Sequence, residues 1–506
     1  MEKRINTALI SVYYKDGLDT IAKALNRLGV KIYSTGGTQR YIEELGIPVT
    51  AVEELTSYPS ILGGRVKTLH PKVFGGILGR RNSAEDCREM KQYDIPAIDL
   101  VVVDLYPFED TVAGGASHED VIEKIDIGGV SLIRAAAKNF ADTLVIATRD
   151  DYEGLLRILT ENNGKTDRTT RMRYAAKAFS ITSHYDTRIF QYFNEEVRLP
   201  VFTYSEHNAM ILRYGENPHQ QGTFFGNLNE IFDVLGGKEL SYNNLVDIDS
   251  AVQLVGEFTE PTVAIIKHTN SCGLASRGEI AEAYQAALAC DPTSAFGGII
   301  AVNRPVDTAT ADLMNSLFFE ALIAPAFDPK ALETLRSKKN RILLRWKKQV
   351  TVPVSFKSVL NGVLVQSADL NTEKRDTFKV VTNKRPTEAE LSDLEFAIVA
   401  VKHLKSNGIA LAKNKQLIGS NSGQTSRVDA LQYAITRAKT HGFDLRGAVM
   451  ASDAFFPFPD CVNISAAAGI TAIAQPGGSI RDQESIDAAN AAGIAMVFTG
   501  VRHFRH

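Results

Sequence analysis

The chain has 506 residues, with 56 Lys and Arg against 59 Asp and Glu, for a formal net charge of −3. Its length suggests about three domains, or two large ones, and 44% hydrophobic with 23% charged residues exclude disorder as the main state. The charge balance removes the electrostatic case for a nucleic-acid coat or a polybasic membrane binder, and it leaves room for local basic pockets.

In chain order, Ala8 to Val12 reads as a buried strand. Gly17 to Leu28 carries apolar residues at helical spacing. Val30 to Tyr33 is the next strand, and Thr38 to Leu45 a helix that Thr38 is suited to cap. Leu100 to Val103 is a continuous apolar run, as expected of a central parallel strand. Asp120 to Ala137 reads as helix and Leu144 to Ala147 as strand, which completes the βαβ rhythm of a doubly wound parallel sheet. A long helix is predicted over about Thr169 to Phe193, and Arg198-Leu199-Pro200 breaks it. The domains expected are therefore 1–198 and 199–506, the second with lobes at roughly 203–370 and 371–506. The charged segment 336–357 reads as a surface excursion or a subdomain edge. Thr387, with Glu390 three residues on, predicts a capped helix over Glu388 to Leu404. From 409 to 500 the βα alternation returns, with no short sequence repeat visible.

The four cysteines, Cys87, Cys272, Cys290 and Cys461, form no C-x-x-C pair. No structural zinc site or dithiol centre is expected, and a reducing, cytoplasmic setting is. No apolar run reaches the roughly 18 residues of a membrane span, and the first apolar run is too short for a signal peptide.

Ligands in open α/β sheets gather at strand carboxyl ends, so the loops there are the candidates. Ser34-Thr35-Gly36-Gly37-Thr38 reads either as an anion-binding loop at a helix N-terminus or as a plain turn and cap. Arg65-Val66-Lys67-Thr68-Leu69-His70-Pro71 is either a substrate loop or a solvated basic loop. Asp126 and Lys138 flank a run of small residues and suit proton transfer if buried together; otherwise they are a cap and a surface lysine. Lys267-His268-Thr269-Asn270 closes a strand. There an ammonium can stabilise an oxyanion while an imidazole accepts a proton. Arg213 to Gln220 combines a cation, amides and a turn, and Ser294 to Gly298 is a small-residue loop with one aromatic. Gly423 to Arg427 is a Gly/Ser-rich loop before a helix. Asp453 to Asp460, with Phe455, Phe456 and Phe458, is either a site for a flat heteroaromatic ligand or a core corner. The zinc-deaminase signature is missing.

Taken together, these motifs resemble the bifunctional AICAR transformylase/IMP cyclohydrolase family of purine biosynthesis. The resemblance is carried by Arg65 to Pro71, Leu105-Tyr106-Pro107-Phe108, Ile125 to Gly129, Ala137-Lys138-Asn139, Arg213 to Gln220, Lys267 to Asn270 and Asp453 to Phe458, in family order over nearly the whole chain. It implies an N-terminal methylglyoxal-synthase-like domain and a C-terminal domain of two cytidine-deaminase-like α/β lobes. It implies formyl transfer from 10-formyltetrahydrofolate to AICAR, giving FAICAR, then dehydrative closure of FAICAR to IMP. No catalytic metal, nucleic acid or membrane is implied, and a homodimer is. His268 would accept the amine proton, Lys267 would stabilise charge and Asn407 would position the formyl group. Arg213, Tyr214, Phe296, Gly297, Arg427, Phe455, Asp460 and Arg502 would form the nucleotide and folate pockets. Lys67, Tyr106, Asp126 and Lys138 would manage ring closure, and Lys15, Thr35, Gly36, Gly37, Thr38, Arg65 and Thr68 would bind its nucleotide. Two departures fall in that last pocket. Tyr13-Tyr14-Lys15-Asp16-Gly17 stands for the family's Ser-Asp-Lys-Thr-Gly, and Asp104 for its Asn. A carboxylate at 104 is expected to repel a phosphate or purine carbonyl. Ser271 replaces a common Pro, expected to be a loop change only.

Overall fold

Five short parallel strands form the first sheet of the computed structural model, which describes residues 2–349 and 353–506. In chain order they are β1 (Thr7–Ser11), β2 (Lys31–Ser34), β3 (Thr50–Ala51), β4 (Leu100–Val103) and β5 (Leu144–Ile146), arranged β3-β2-β1-β4-β5. Every residue of β4 is buried, which explains its unbroken apolar run. The helices of this unit include α1 (Leu18–Arg27), α2 (Gly36–Glu44), α3 (Pro71–Leu78), α4 (Gly128–Lys138) and the 30-residue α5 (Arg168–Val197). The order of the sheet reverses between β1 and β4, whose carboxyl ends, Ser11 and Val103, are paired neighbours. A crevice is expected at that switch point.

Two expectations fail here. The stretch 120–137 is not one helix: a short helix, His118–Ile122, ends before Asp126, and α4 begins at Gly128. Thr38 is not a cap. The helix begins two residues earlier, with Thr35 at its N-cap, and the buried Thr38 hydroxyl instead bonds the amide (3.1 Å) and carbonyl (2.9 Å) of Val12.

The chain forms two compact units, the first ending at Glu206 and the second beginning at His207. The second contains two six-stranded mixed sheets of one topology. The first lobe runs β6 (Phe232–Gly236), α6 (Tyr242–Gly256), β7 (Thr262–Lys267), β8 (Asn270–Ser276), α7 (Ile280–Cys290), β9 (Ile299–Val302), α8 (Thr308–Asn315), β10 (Ala321–Ala324), α9 (Pro329–Arg336) and β11 (Ile342–Trp346). The second repeats it as β12 (Lys379–Val380), α10 (Glu388–Lys402), β13 (Ile409–Ala412), β14 (Leu417–Asn421), α11 (Arg427–Thr440), β15 (Val449–Ser452), α12 (Asp460–Ala468), β16 (Ala472–Gln475), α13 (Asp482–Ala492) and β17 (Ala495–Phe498). The strand orders are β6-β11-β10-β9-β7-β8 and β12-β17-β16-β15-β13-β14. The same bulge interrupts both hairpins, after Ile265 and after Leu411. Close packing also repeats: a Cβ at Gly273 would stand 2.3 Å from the Ala287 carbonyl oxygen, and one at Gly419 would stand 2.4 Å from that of Ala434.

Helices α6 and α10 lie in one apolar core with both sheets, so α10 is buried almost all round over Leu394 to Lys402. Its start carries the full capping box expected of Thr387 and Glu390. Of the two readings of 336–357, the surface excursion fails for its middle, because Ile342 to Leu344 are fully buried in β11, the last strand of the first lobe. Residues 350–352 of that stretch lie outside the described residues. The hairpin that follows, Val354–Val359 with Gly362–Ser367, is exposed along nearly its whole length.

Candidate active sites

At the switch point of the first unit, Asp104 directly follows β4 and is 9% exposed. One of its oxygens accepts the Tyr13 amide and the other the Tyr14 amide, the latter at 3.1 Å. Both oxygens therefore serve the loop after β1, so the Asp104 carboxylate is turned toward backbone amides. Lys15 folds back, its ammonium donating to the carbonyls of Val12 and Tyr13. Burial lowers the Lys15 pKa, with Asp104 opposing that shift. The Tyr13 ring stands edge-on to Tyr106 at 5.6 Å, and Lys124 lies over both rings.

Asp126 approaches the same region. Its amide donates to the Tyr185 hydroxyl at 2.9 Å, which in turn donates to the Lys124 carbonyl. Its carboxylate accepts the Gly129 amide at 2.6 Å, and a Cβ at Gly129 would fall 2.6 Å from the carboxylate, so glycine is required there. Burial raises the pKa of Asp126, and the charge of Asp104 adds to the rise. Burial and then Asp126 raise that of Tyr106. A basic carboxylate and a neutral phenol result.

Thr35 and Gly36 open α2, and Gly36 has φ 57°. The Lys67 ammonium lies 3.5 Å from where a Cβ would be at Gly36 and equally at Gly64. The Thr35 hydroxyl is buried and without a hydrogen-bond partner among the described residues. A cation, an orphan hydroxyl and a helix N-terminus together suit an anion. The Thr68 hydroxyl stands 3.2 Å from the corresponding point at Gly128, the start of α4. Arg65, by contrast, is exposed and paired with Glu123. Lys138 is not buried with Asp126. It ends α4, about 15 Å along the axis from the helix start, and lines a groove with Phe74, Leu78, Arg134 and Phe179.

In the second unit, β7 runs antiparallel to β9, so Lys267 at its carboxyl end lies beside the amino end of β9. The simple rule of strand carboxyl ends thus misplaces this site relative to the parallel strands. The Lys267 ammonium donates to the Phe296 carbonyl at 2.7 Å. Gly297 has φ 70°, and a Cβ there would be 3.0 Å from that ammonium. His268 and Thr269 both adopt left-handed backbone, at φ 52° and 63°. The Thr269 amide donates to the carboxylate of Asp247 at 2.7 Å. Asp247 is a residue that sequence reasoning missed; its spacing on α6 gave no local signal. Burial raises its pKa. Asn243, one turn earlier on the same face, donates to the Glu216 carbonyl at 3.2 Å. One face of α6 therefore supports both the His268 turn and the turn that carries Arg213 and Tyr214. Asn270 completes the motif, accepting the Ser422 hydroxyl from the other lobe at 2.5 Å.

Asn407 follows a cis peptide bond from Ser406 and precedes β13. Its side-chain amide donates to the carbonyls of Gln424 (3.0 Å) and Thr425 (3.2 Å). Arg427 is engaged within the protein. It is 8% exposed and pairs with fully buried Asp453 at 2.8 Å, so it braces the strand end. The three phenylalanines also divide. Phe456 is core at 0% exposure, Phe455 is half-buried, and exposed Phe458 lies under Arg481. Asp460 opens α12, and Arg502 stacks on Phe504. Among the described residues no group of three or more His, Cys, Asp or Glu could hold a metal ion, and no helix is long and apolar enough to cross a membrane.

Comparisons with known proteins bear on the whole chain. The model of the AICARFT/IMPCHase bienzyme family matches residues 136–437, and that of the MGS-like domain matches residues 17–131. A bifunctional purine biosynthesis protein PurH from Bacteroides thetaiotaomicron is 56% identical over 504 residues, covering 100% of this chain and 99% of the relative. The PurH of Aquifex aeolicus is 49% identical over 509 residues (99% and 100%), and that of Caldicellulosiruptor saccharolyticus 48% over 520 (99% of each). With matches of this extent and with the motifs set on two units of the expected α/β architecture, the chain belongs to the AICARFT/IMPCHase bienzyme family.

Proposed function

We propose that the second unit transfers a formyl group from 10-formyltetrahydrofolate to the 5-amine of AICAR and that the first unit closes FAICAR to IMP. The observation that carries the first half is the His268 turn, an imidazole held in left-handed backbone by Asp247 beside the Lys267 ammonium. The AICAR amine is a weak nucleophile because its lone pair is delocalised. His268 accepts its proton as nitrogen attacks the formyl carbon. Lys267 keeps two of its three N–H groups after bonding Phe296, and these stabilise the developing oxyanion until the folate nitrogen leaves. Asn407 positions the formyl group, and Arg213 and Tyr214 hold the nucleotide beside Phe296. Phe455, Asp460 and Arg502 complete the nucleotide and folate pockets in this reading. Arg427 supports it from behind through Asp453.

In ring closure the carboxamide nitrogen attacks the formyl carbon and water is then lost. Asp126, made more basic by burial, takes the proton, and neutral Tyr106 donates toward the departing oxygen. Lys67, Thr35, Gly36, Gly37 and the Thr38 amide bind the phosphate, and Lys15, Arg65 and Thr68 bind the rest of the nucleotide. The reading includes a homodimer, since an isolated two-stranded hairpin is marginal in water and the exposed hairpin 354–367 carries Val354, Phe356, Val363 and Val365 on one face. It also includes a cytoplasmic setting.

The test uses the full chain. His268→Ala should lose formyl transfer by roughly two to four orders of magnitude, while FAICAR added directly is still closed to IMP. Loss of both activities in a folded variant would refute two separate sites.

A further inference from the structure

Two residues at the switch point of the first sheet depart from the family pattern together. The acid that commonly precedes the loop lysine is Tyr14 here, and the asparagine that commonly follows β4 is Asp104. In the fold these positions meet, because an Asp104 oxygen accepts the Tyr14 amide at 3.1 Å while the other accepts the Tyr13 amide.

The bonding makes the arrival specific. A carboxylate offers two acceptor oxygens, and both are used. An asparagine at this place would offer one oxygen and set its NH2 against the second backbone N–H, donor against donor. The loop would have to move, and its contents would move with it. Tyr13 stands 5.6 Å from Tyr106, Lys124 covers both rings at 5.5 and 5.9 Å, and Lys15 is folded onto Val12 and Tyr13. The charged neighbours of Asp104 are Lys15, Arg149 and Asp126. Arg149 stacks on Tyr14 at 4.0 Å and pairs with Asp16 at 3.1 Å, so the outer side of the loop is held by that arginine.

We propose that Asp104 is a positioning residue for ring closure: its carboxylate replaces the missing loop acid and holds the Tyr13–Lys15 loop against Tyr106. This rests on the reading of the first unit as the cyclohydrolase. The carboxylate faces the loop amides, so it shapes the pocket without touching the nucleotide.

The test is a reciprocal exchange in the full-length chain. Steady-state closure of FAICAR is measured for the wild type, Asp104→Asn, and Asp104→Asn combined with Tyr14→Asp. The single variant should raise the FAICAR KM roughly tenfold with a smaller change in kcat, and amide exchange across residues 12–17 should quicken. Returning the acid to position 14 should recover most of the KM, which a general loss of stability would not allow. Formyl transfer by the same preparations serves as the folding control. A wild-type KM and unchanged exchange in Asp104→Asn overturn the proposal, as does a double variant no better than the single one. A wild-type chain that fails to close FAICAR overturns the cyclohydrolase reading instead, and the exchange comparison still decides the tether.

Discussion

Replacing Asp247 by Ala removes the acceptor that holds His268 and Thr269 in left-handed backbone. A hydrogen bond to a charged group contributes roughly 1.5–3 kcal/mol, and each non-glycine residue in the left-handed region costs about 1–2 kcal/mol. Freed of its acceptor, the turn should relax, and re-forming the working geometry then costs about 2 kcal/mol, or about thirtyfold in kcat/KM for formyl transfer. The second lobe supplies the control. Asp393 occupies the same place on α10 and accepts the amides of Asn414 (2.8 Å) and Lys415 (2.7 Å), a turn with the same left-handed pair, φ 54° and 51°. Asp393→Ala should cost similar stability in urea unfolding yet leave kcat/KM for formyl transfer within about threefold, since its turn carries no reacting group. Rates measured with AICAR and 10-formyltetrahydrofolate at matched folded fraction compare the two. If Asp393→Ala loses formyl transfer as severely as Asp247→Ala, the positional reasoning is refuted.

Half-buried Glu257 accepts from Lys402 (3.0 Å), Thr372 (2.6 Å) and His403 (2.5 Å). Burial opposes its ionisation, but these partners prevail and hold its pKa at about 2, below the usual 4.5. A depressed acid gives stability that is whole above about pH 4.5 and is lost as pH falls toward 2. Glu257→Gln should therefore cost about 3 kcal/mol at pH 7 and flatten that part of the stability profile, read by urea unfolding; an unchanged acid limb would contradict it. Gly273→Ala and Gly419→Ala each drive a Cβ into a helix carbonyl, and each should cost about 1–3 kcal/mol or more. A wild-type urea midpoint for either would show that helix and strand can part without penalty.

What the sequence made legible was local. The capping box at Thr387 and Glu390 and the apolar run at Leu100 to Val103 depend on residues within a turn or a strand of one another, and both stand as expected. The rest depended on partners far along the chain. Ile342 to Trp346 looked like part of a charged surface stretch because Lys338, Lys339, Lys347 and Lys348 flank it, yet it pairs with both β10 and β6. Thr38 had the chemistry of a cap, but its nearest use was Val12, 26 residues away. Asp126 and Lys138 were adjacent only as motifs, and a helix separates them. Asp104 read only as a charge because the two amides that it accepts lie 90 and 91 residues earlier.

The internal duplication was invisible for a related reason: it survives in geometry more than in letters. Lys267-His268-Thr269-Asn270 and Lys413-Asn414-Lys415-Gln416 share only the lysine, and that lysine does the same thing twice. Lys267 donates to the carbonyl of Phe296 at 2.7 Å, and Lys413 to that of Arg446, the matching position, also at 2.7 Å. The glycines that follow, Gly297 and Gly447, have φ 70° and 77°. The lysine tether and the buried acid beneath the turn are therefore parts of the scaffold, present in a lobe whose turn carries no imidazole. What the first lobe adds is His268 in place of Asn414, Asn270 bonded across to Ser422, and an exposed Phe296 in place of Arg446. The same comparison explains the buried charges between the lobes. Glu257 and His403 occupy equivalent positions just beyond α6 and α10, and they meet each other at 2.5 Å. Two ionised acids there would repel, whereas the unlike pair bonds directly. Divergence between the lobes thus served packing at one place and, on the reading given above, catalysis at another, with the backbone of both turns left unchanged.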